Sequence, residues 1–151
     1  MKVLMVCLGN ICRSPLAEGI LRHKAAAANK SIEVDSCGTG GWHVGEKADP
    51  RSRQKSHEHG IDIDSLRARQ FHPSDFETFD LIYCMDESNY HDIVALAENQ
   101  AYKAKVKLIL NEVPNLKFQN VPDPYYGGAD GFETVYQMLD KACDAIIDRS
   151  T

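Results

Sequence analysis

The sequence predicts a single α/β domain in which an open parallel sheet carries helices on both faces. Short apolar runs of strand length alternate with longer helical segments in the order β-α-β-α-β-α-β-α. A length of 151 residues suits one domain with one core, and no repeat, linker or low-complexity segment divides residues 1–151. A content of 43% hydrophobic and 26% charged residues is typical of a globular protein.

The first strand and the first helix flank a polar loop. Lys2–Val6 is predicted to be a short buried strand because its apolar run is continuous rather than alternating. Pro15–Ala28 is rich in alanine and has helical periodicity. Ser14 is expected to cap this helix, and Pro15 stands at a first helical position, where a missing N–H is tolerated.

The second quarter of the chain predicts one strand and one helix. Ser31–Ser36 alternates apolar and polar residues, as a strand does, and Cys37–Gly41 is a flexible turn. Asp49-Pro50 signals the start of a helix that Gly60 ends. Residues 67–79 look irregular, with one short helix.

Two further strands and two helices follow. Leu81–Met85 and Val106–Leu110 are predicted buried strands, and Asp86 is expected to cap a helix between them that ends near Asn99. Asn111–Gly131 is a loop of a length that is usually functional. Phe132–Arg149 is the clearest helix, since its apolar residues form one stripe. In such sheets ligands bind beyond the carboxyl ends of the strands, so the site is expected where the first strand ends.

The loop from Cys7 to Ser14 has the residue types that bind and attack an oxyanion. Its eight residues can curl so that backbone N–H groups point inward, and the helix that follows adds its positive end. We expect a thiolate at Cys7, because this field stabilises an ionised sulfur. Arg13 adds a planar fork that fits a tetrahedral oxyanion. The pattern predicts a nucleophile at the base of a phosphate-binding cup.

The residues of this loop argue against three other interpretations. Cys7 alone would be a small buried hydrophobe at a strand end, and the residues around it argue against that interpretation. No Gly-Lys-Ser/Thr closes the loop, which excludes a nucleotide-binding P-loop. Cys7 and Cys12 lie too far apart for a zinc-binding pair, no second pair follows, and the six histidines lack ligand spacing. We therefore expect neither a metal nor a cofactor.

Charge and cysteine content limit the partners and the compartment. A net charge of −5 and a pI near 5.6 argue against nucleic acid or a membrane surface as the main partner. From the sequence we expect neither a signal peptide nor a membrane-spanning segment, because the first apolar run is short and no apolar run reaches membrane-spanning length. Five cysteines at irregular spacing fit reduced thiols, so a cytoplasmic protein is expected.

A second motif, Pro122–Gly128, supplies a candidate proton donor. Asp123 lies between two prolines that restrict the direction of its carboxylate. Tyr125 and Tyr126 follow directly and are expected to form an aromatic wall against which a flat substrate ring can lie. Alone, this segment would be an acidic turn with exposed tyrosines. Together with the cysteine loop, it is interpreted as the source of a general acid for a leaving oxygen.

The two motifs, 6–18 and 123–127, resemble the signatures of the low-molecular-weight protein tyrosine phosphatases. The segments between them also resemble family segments in the same order, namely Val34–Ser36, His59–Ile61, Ala68–Gln70 and Cys84–Asn89. The resemblance implies a four-stranded parallel sheet of order 2-1-3-4 and metal-free hydrolysis of phosphotyrosine. Implied substrates are tyrosine-phosphorylated proteins or small aryl phosphates, with inorganic phosphate or other oxyanions binding in the site.

The resemblance also implies a role for each matching residue. Cys7 matches the nucleophile, Arg13 the phosphate clamp and Asp123 the general acid. The residues that bind phosphate or support the loop are Leu8, Gly9, Asn10, Ile11, Cys12, Ser14 and Ser36. The aromatic walls of the cleft are Trp42, Tyr125 and Tyr126. One departure is that Leu66-Arg67 stands where many animal members have a histidine.

Oxidation and two alternative functions complete the expectations. Cys12 lies five residues from Cys7 across one tight loop and is expected to be its redox partner. Thioredoxin-coupled arsenate reductases resemble the chain in the cysteine loop, but only Cys84 lies near one of their further redox cysteines. A phosphate-dependent binding module remains the non-catalytic alternative, although such modules commonly lose the nucleophile or the acid, and both are present here.

Overall fold

The fold is built on one parallel sheet. The computed structural model describes residues 1–117, 119–127 and 129–150, without the side chains of Tyr126 and Ala129. Within these residues four strands form one sheet of order β2-β1-β3-β4, and every neighbouring pair is parallel. The strands are β1 (Lys2–Cys7), β2 (Glu33–Gly38), β3 (Leu81–Cys84) and β4 (Val106–Leu108). The predicted fold class and strand order are confirmed.

The helices connect and cover these strands. They are α1 (Arg13–Ala27), α2 (Pro50–Glu58), α3 (Asp75–Thr78), α4 (Glu87–Leu96), α5 (Gln100–Lys103) and α6 (Ala129–Arg149). Short 3₁₀ turns lie at Ile109–Glu112, Pro114–Leu116 and Pro124–Tyr126. Among the helices of the described residues, none combines the length and the apolar character that crossing a membrane requires.

The two faces of the sheet bury separate apolar clusters. Alternate residues of β1 point to opposite faces, so Val3 and Met5 join a cluster with α1 and α6. Leu4 and Val6 join a second cluster that includes residues of α3 and α4. Cys7 ends β1 on the first face, which directs its side chain to the carboxyl edge of the sheet next to the start of α1.

The structure corrects the predicted start of α1. The helix begins at Arg13 with Cys12 at the cap position, and no side chain caps it. Ser14 lies inside the first turn, fully buried, and its hydroxyl faces the Cys7 sulfur. The prediction of Ser14 as the cap was wrong because a tertiary partner, the thiol, takes the hydroxyl that a cap would offer to the backbone.

Other boundaries shift by a few residues. β2 runs on to Gly38 because the backbone around residues 69–71 hydrogen-bonds to it, with Phe71 N–H donating to Gly38 O over 2.8 Å. The predicted long helix after β3 ends at Leu96, and Asn99 caps a separate short helix. β4 stops at Leu108, where the chain winds into a 3₁₀ turn. α6 starts at Ala129, three residues before the predicted position.

Candidate active site

The loop between β1 and α1 turns its carbonyl oxygens outward. Gly40 N–H donates to Leu8 O over 2.9 Å, and Asp49 N–H donates to Ile11 O over 2.8 Å. In a trans peptide the N–H of the next residue points the opposite way, so these N–H groups face the inside of the loop. The N-terminus of α1 adds the positive end of its dipole. The loop therefore forms a concave site in which backbone N–H groups can bind an anion.

Cys7 lies at the base of this loop and is 2% exposed. Its sulfur is 3.0 Å from Ser14 Oγ and accepts a hydrogen bond from the Asn10 N–H over 3.3 Å. The structure thus places Cys7 where the sequence predicted it, with two polar contacts to its sulfur.

A network of buried polar side chains supports the loop. Asn10 has a left-handed φ of 58° and donates from Nδ2 to Ser14 Oγ over 2.8 Å and to Ser36 Oγ over 3.0 Å. Its Oδ1 accepts the Arg69 N–H over 3.0 Å. These bonds hold Asn10 in a conformation that few side chains adopt. The predicted grouping of Asn10, Ser14 and Ser36 is present.

Glu18 extends this network and was missed by sequence analysis. It is 2% exposed, accepts a hydrogen bond from Ser36 Oγ over 2.7 Å and pairs with Arg22. Burial raises the pKa of Glu18 above its usual value, and the bonds from Ser36 and Arg22 oppose that shift. A glutamate in an amphipathic helix is normally read as a solvent-facing residue, so no local signal indicated a buried one.

Arg13 is also 2% exposed and is held by two acceptors. Its NH1 donates to Asp86 Oδ2 over 2.6 Å and to Val121 O over 3.0 Å. Asp86 caps α4 as predicted, with Oδ1 accepting the Asn89 N–H over 2.8 Å. The sequence predicted this cap, but it did not predict that the second carboxylate oxygen of Asp86 binds Arg13.

Asp123 faces the same cleft from the other side. Its Oδ2 lies 3.7 Å from Arg13 NH2, and its side chain is 35% exposed. Its Oδ1 accepts the Tyr125 N–H over 3.0 Å, which caps the 3₁₀ turn Pro124–Tyr126. The two motifs are separated by more than a hundred residues of sequence, and the fold brings them to one site.

A cleft of about 300 Å³ opens above Cys7. It is lined by Cys7, Leu8, Gly9, Ile11, Cys12, Arg13, Trp42, His43, Asp123 and Tyr125. Trp42 is 72% exposed and Tyr125 is 39% exposed, so both present ring surface at the mouth. Trp42 lies against Gly40, where a Cβ would overlap its ring. The predicted wall residue Tyr126 has its side chain outside the described part of the structure.

His43 lines the cleft, although the sequence offered no reason to single it out. Its ring packs against Gly9, and its Nδ1 lies 3.0 Å from Glu46 Oε2.

A different histidine, His57, lies with Asp62 and Asp64 in a cluster whose possible ligand atoms are within 4.8 Å of one another. That cluster does not line the cleft, and exposed groups of this kind are common without an ion.

Cys12 borders the cleft as a buried, protonated thiol. It is buried, and burial together with the negative field of Asp49 raises the pKa of its thiol well above the usual value. Cys12 is therefore a neutral thiol at neutral pH. Cys37, Cys84 and Cys143 are fully buried in the two apolar clusters.

The whole chain matches one protein family. A family model described as low molecular weight phosphotyrosine protein phosphatase matches residues 2–150. The chain is 44% identical over 148 residues to low molecular weight phosphotyrosine protein phosphatase 1 of Drosophila melanogaster. The aligned region covers 97% of this chain and 94% of that relative.

Solved structures agree with this match. A protein tyrosine phosphatase from Entamoeba histolytica, crystallised with Hepes in its active site, superposes with a TM-score of 0.93 and is 38% identical in sequence. The superposition covers 99% of this chain and 96% of that chain. A Drosophila arginine phosphatase has a TM-score of 0.92 and 32% identity, covering 99% of each chain. Fold, cleft and relatives together define an α/β phosphatase. The chain belongs to the low molecular weight phosphotyrosine protein phosphatase family, as the sequence resemblance predicted.

Proposed function

We propose that this protein hydrolyses phosphotyrosine in proteins, and small aryl phosphates, in two steps through a phosphocysteine intermediate. The observation that carries the proposal is the meeting of three side chains in one cleft. Cys7 lies at the base of the loop, Arg13 is buried beside it, and Asp123 Oδ2 is 3.7 Å from Arg13 NH2. Inorganic phosphate and other oxyanions would bind in the same loop.

In the first step the Cys7 thiolate attacks phosphorus in line with the leaving oxygen. A P–S bond forms as the P–O bond to the phenol breaks. Arg13 and the loop N–H groups of residues 8–13 take up charge on the three equatorial oxygens. Protonated Asp123 gives its proton to the departing phenolate, which leaves as a neutral phenol.

In the second step water attacks the phosphocysteine. Asp123, now ionised, accepts a proton from that water as the P–S bond breaks. Inorganic phosphate leaves, the Cys7 thiolate is regenerated, and Asp123 holds the proton needed for the next cycle. Dividing the reaction in this way replaces one high barrier with two lower ones.

Turnover of p-nitrophenyl phosphate in the presence of EDTA tests the proposal directly. We expect hydrolysis at the same rate with and without the chelator, because the residues described supply nucleophile, charge and proton themselves. A chain that binds phosphate or vanadate but releases no p-nitrophenol would be the binding module instead.

The exposed rings at the mouth predict a preference for aryl esters. Trp42 and Tyr125 flank a cleft that a flat ring can cross to bring its phosphate to Cys7. We expect a higher kcat/KM for a phosphotyrosine peptide than for the matched phosphoserine peptide. Phosphoarginine belongs in the same assay, because an arginine phosphatase is among the similar structures. Higher kcat/KM for phosphoserine would contradict the role of these walls.

Reversible oxidation is a further prediction. Peroxide oxidises the Cys7 thiolate to a sulfenic acid, and attack by the Cys12 thiol expels water and leaves a Cys7–Cys12 disulfide. Mild peroxide should inactivate the enzyme, and dithiothreitol should restore it. Cys12→Ser should make the loss largely irreversible, because Cys7 then proceeds to sulfinic acid. Cys84→Ala is the control and should recover like the wild type.

Mass mapping of the oxidised protein separates this reaction from arsenate reduction. The relatives described above are phosphatases and give the reductase alternative no support. Cys84 is fully buried in the cluster on the opposite sheet face from Cys7. A disulfide containing Cys84, formed during arsenate turnover with thioredoxin, would overturn the phosphatase mechanism.

The cysteines also support a location for the protein. All five are free thiols in the structure, and all are buried. Because the mechanism needs a reduced Cys7, a reducing compartment suits it. We place the protein in the cytoplasm on this ground.

A further inference from the structure

We propose that Arg51 is a positioning residue. It fixes the position of the acid loop, residues 122–127 around Asp123, relative to the cysteine loop, residues 7–14. This inference rests on the proposed function and goes beyond it by naming a residue outside both motifs. Arg51 stands in the first turn of α2, and its effect on catalysis would go through the placement of Asp123.

Arg51 binds the chain just after Asp123. Its NH2 donates to Tyr125 O over 3.0 Å, and its NH1 lies 3.4 Å from Gly127 O. The guanidinium carbon is 4.8 Å from the ring centre of Phe132 and 5.6 Å from that of Tyr125. One side chain therefore contacts the backbone of the acid loop, its aromatic residue and the start of α6.

Asp49 orients the Arg51 side chain from the other side. Arg51 Nε donates to Asp49 Oδ1 and NH2 donates to Oδ2, both over 3.0 Å. The same Oδ1 accepts the Arg51 N–H over 2.8 Å as the cap of α2. A bidentate ion pair of this kind fixes the plane of the guanidinium group. The remaining N–H groups of a partly exposed arginine then point in a defined direction.

The start of α2 is itself bonded to the cysteine loop. Asp49 N–H donates to Ile11 O over 2.8 Å, and Ser52 Oγ donates to Cys12 O over 2.9 Å. A continuous path of hydrogen bonds thus runs from the cysteine loop through the start of α2 and Arg51 to the acid loop. Arg13 also reaches this part of the chain directly, before and at Asp123: its NH1 donates to Val121 O over 3.0 Å, and its NH2 is 3.7 Å from Asp123 Oδ2. Arg51 holds the segment that follows Asp123.

This path matters because proton transfer is sensitive to distance. Asp123 must reach the leaving oxygen to within about 2.6–3.2 Å. A misplacement of about 1 Å can lower a rate by about a hundredfold. Without Arg51 the turn that follows Asp123 loses two backbone contacts, so the carboxyl group would be held less well over the loop.

The test measures phosphoenzyme formation in single turnovers of Arg51→Ala with two substrates. Phenyl phosphate has a poor leaving group that needs the proton, and 2,4-dinitrophenyl phosphate has a good one that does not. We expect Arg51→Ala to slow the phenyl substrate by about 10- to 100-fold and to leave the dinitrophenyl substrate nearly unchanged. Arg51→Lys should recover part of the loss, since a single ammonium group can still donate to Tyr125 O but lacks the planar geometry that serves several acceptors at once.

Arg53→Ala is the matched control. Arg53 lies two residues further along the same helix and donates to Ala48 O over 3.0 Å. Its removal tests whether losing any arginine from this helix slows the reaction, and the expected result is wild-type rates for both substrates. Thermal melts of all variants show whether they fold.

A double-mutant cycle with Asp123→Asn shows whether Arg51 affects the rate through Asp123. If Arg51 acts through Asp123, Arg51→Ala should add no further loss in the Asp123→Asn background. Additive losses, or equal slowing of both substrates by Arg51→Ala, would overturn the inference while leaving the proposed function intact. Absence of aryl phosphate hydrolysis by the wild type would overturn the proposed function itself, and this inference with it.

Discussion

Cys7→Ser is expected to abolish turnover while oxyanion binding persists. A serine hydroxyl at this position stays protonated and is a far weaker nucleophile than a thiolate, whereas the loop N–H groups and Arg13 are unchanged. Loss of a covalent nucleophile costs about 10⁶-fold in kcat where it has been measured. Hydrolysis of p-nitrophenyl phosphate should therefore fall to background. Titration calorimetry with vanadate or phosphate should still give a measurable binding heat.

Cys12→Ser is the internal control for this result. Cys12 lies in the same loop and lines the same cleft, but burial and Asp49 raise the pKa of its thiol, so that it remains protonated. Much of the activity should remain in Cys12→Ser. If both folded variants lost activity equally, the assignment of Cys7 as the nucleophile would be wrong.

The cysteine loop could be predicted because its chemistry is local. Cys7, Arg13 and the N-terminus of α1 lie within one strand-loop-helix unit, so their order in the chain already determines their order in space. The fold class followed from alternating apolar runs, since each strand is buried by helices on both sides. The family resemblance implied the order 2-1-3-4. Asp123 was paired with the loop on its own residues, because it lies between two prolines and a leaving oxygen needs a proton donor, and the resemblance implied the same role.

The contacts that sequence analysis missed are all tertiary. A hydroxyl at Ser14 suits a helix cap, but in the fold it faces the Cys7 sulfur, the Asn10 amide and the Cys37 carbonyl. Asp86 uses one carboxylate oxygen for its predicted cap and the other for Arg13, a partner 73 residues away. Arg51 reads as a solvated helix residue until the acid loop is placed beside it. Residue type alone carries no information about such partners.

The geometry of Asp123 predicts which of its oxygens would carry the proton in the proposed mechanism. Oδ1 accepts the Tyr125 N–H over 3.0 Å, so protonating it would lose that bond. Oδ2 points to the Arg13 side of the cleft, 3.7 Å from NH2, where the leaving oxygen of a bound ester would lie.

Asp123→Ala is expected to lower kcat on phosphotyrosine by about 10²–10³, the usual range for losing a general acid. Asp123→Asn separates the proton from the shape of the loop, because its amide oxygen can still accept the Tyr125 N–H while its amide group is no acid. Both variants should slow phosphoenzyme formation most for poor leaving groups, and the limb of the pH–rate profile that reports the acid should flatten. If Asp123→Asn kept wild-type rates, or if good and poor leaving groups slowed equally, Asp123 would be a structural residue of the 3₁₀ turn. If the variants slow phosphoenzyme formation with the phenyl ester but not with the dinitrophenyl ester, they have lost a proton donor. The reason is that the phenyl leaving group needs a proton to depart and the dinitrophenyl group does not.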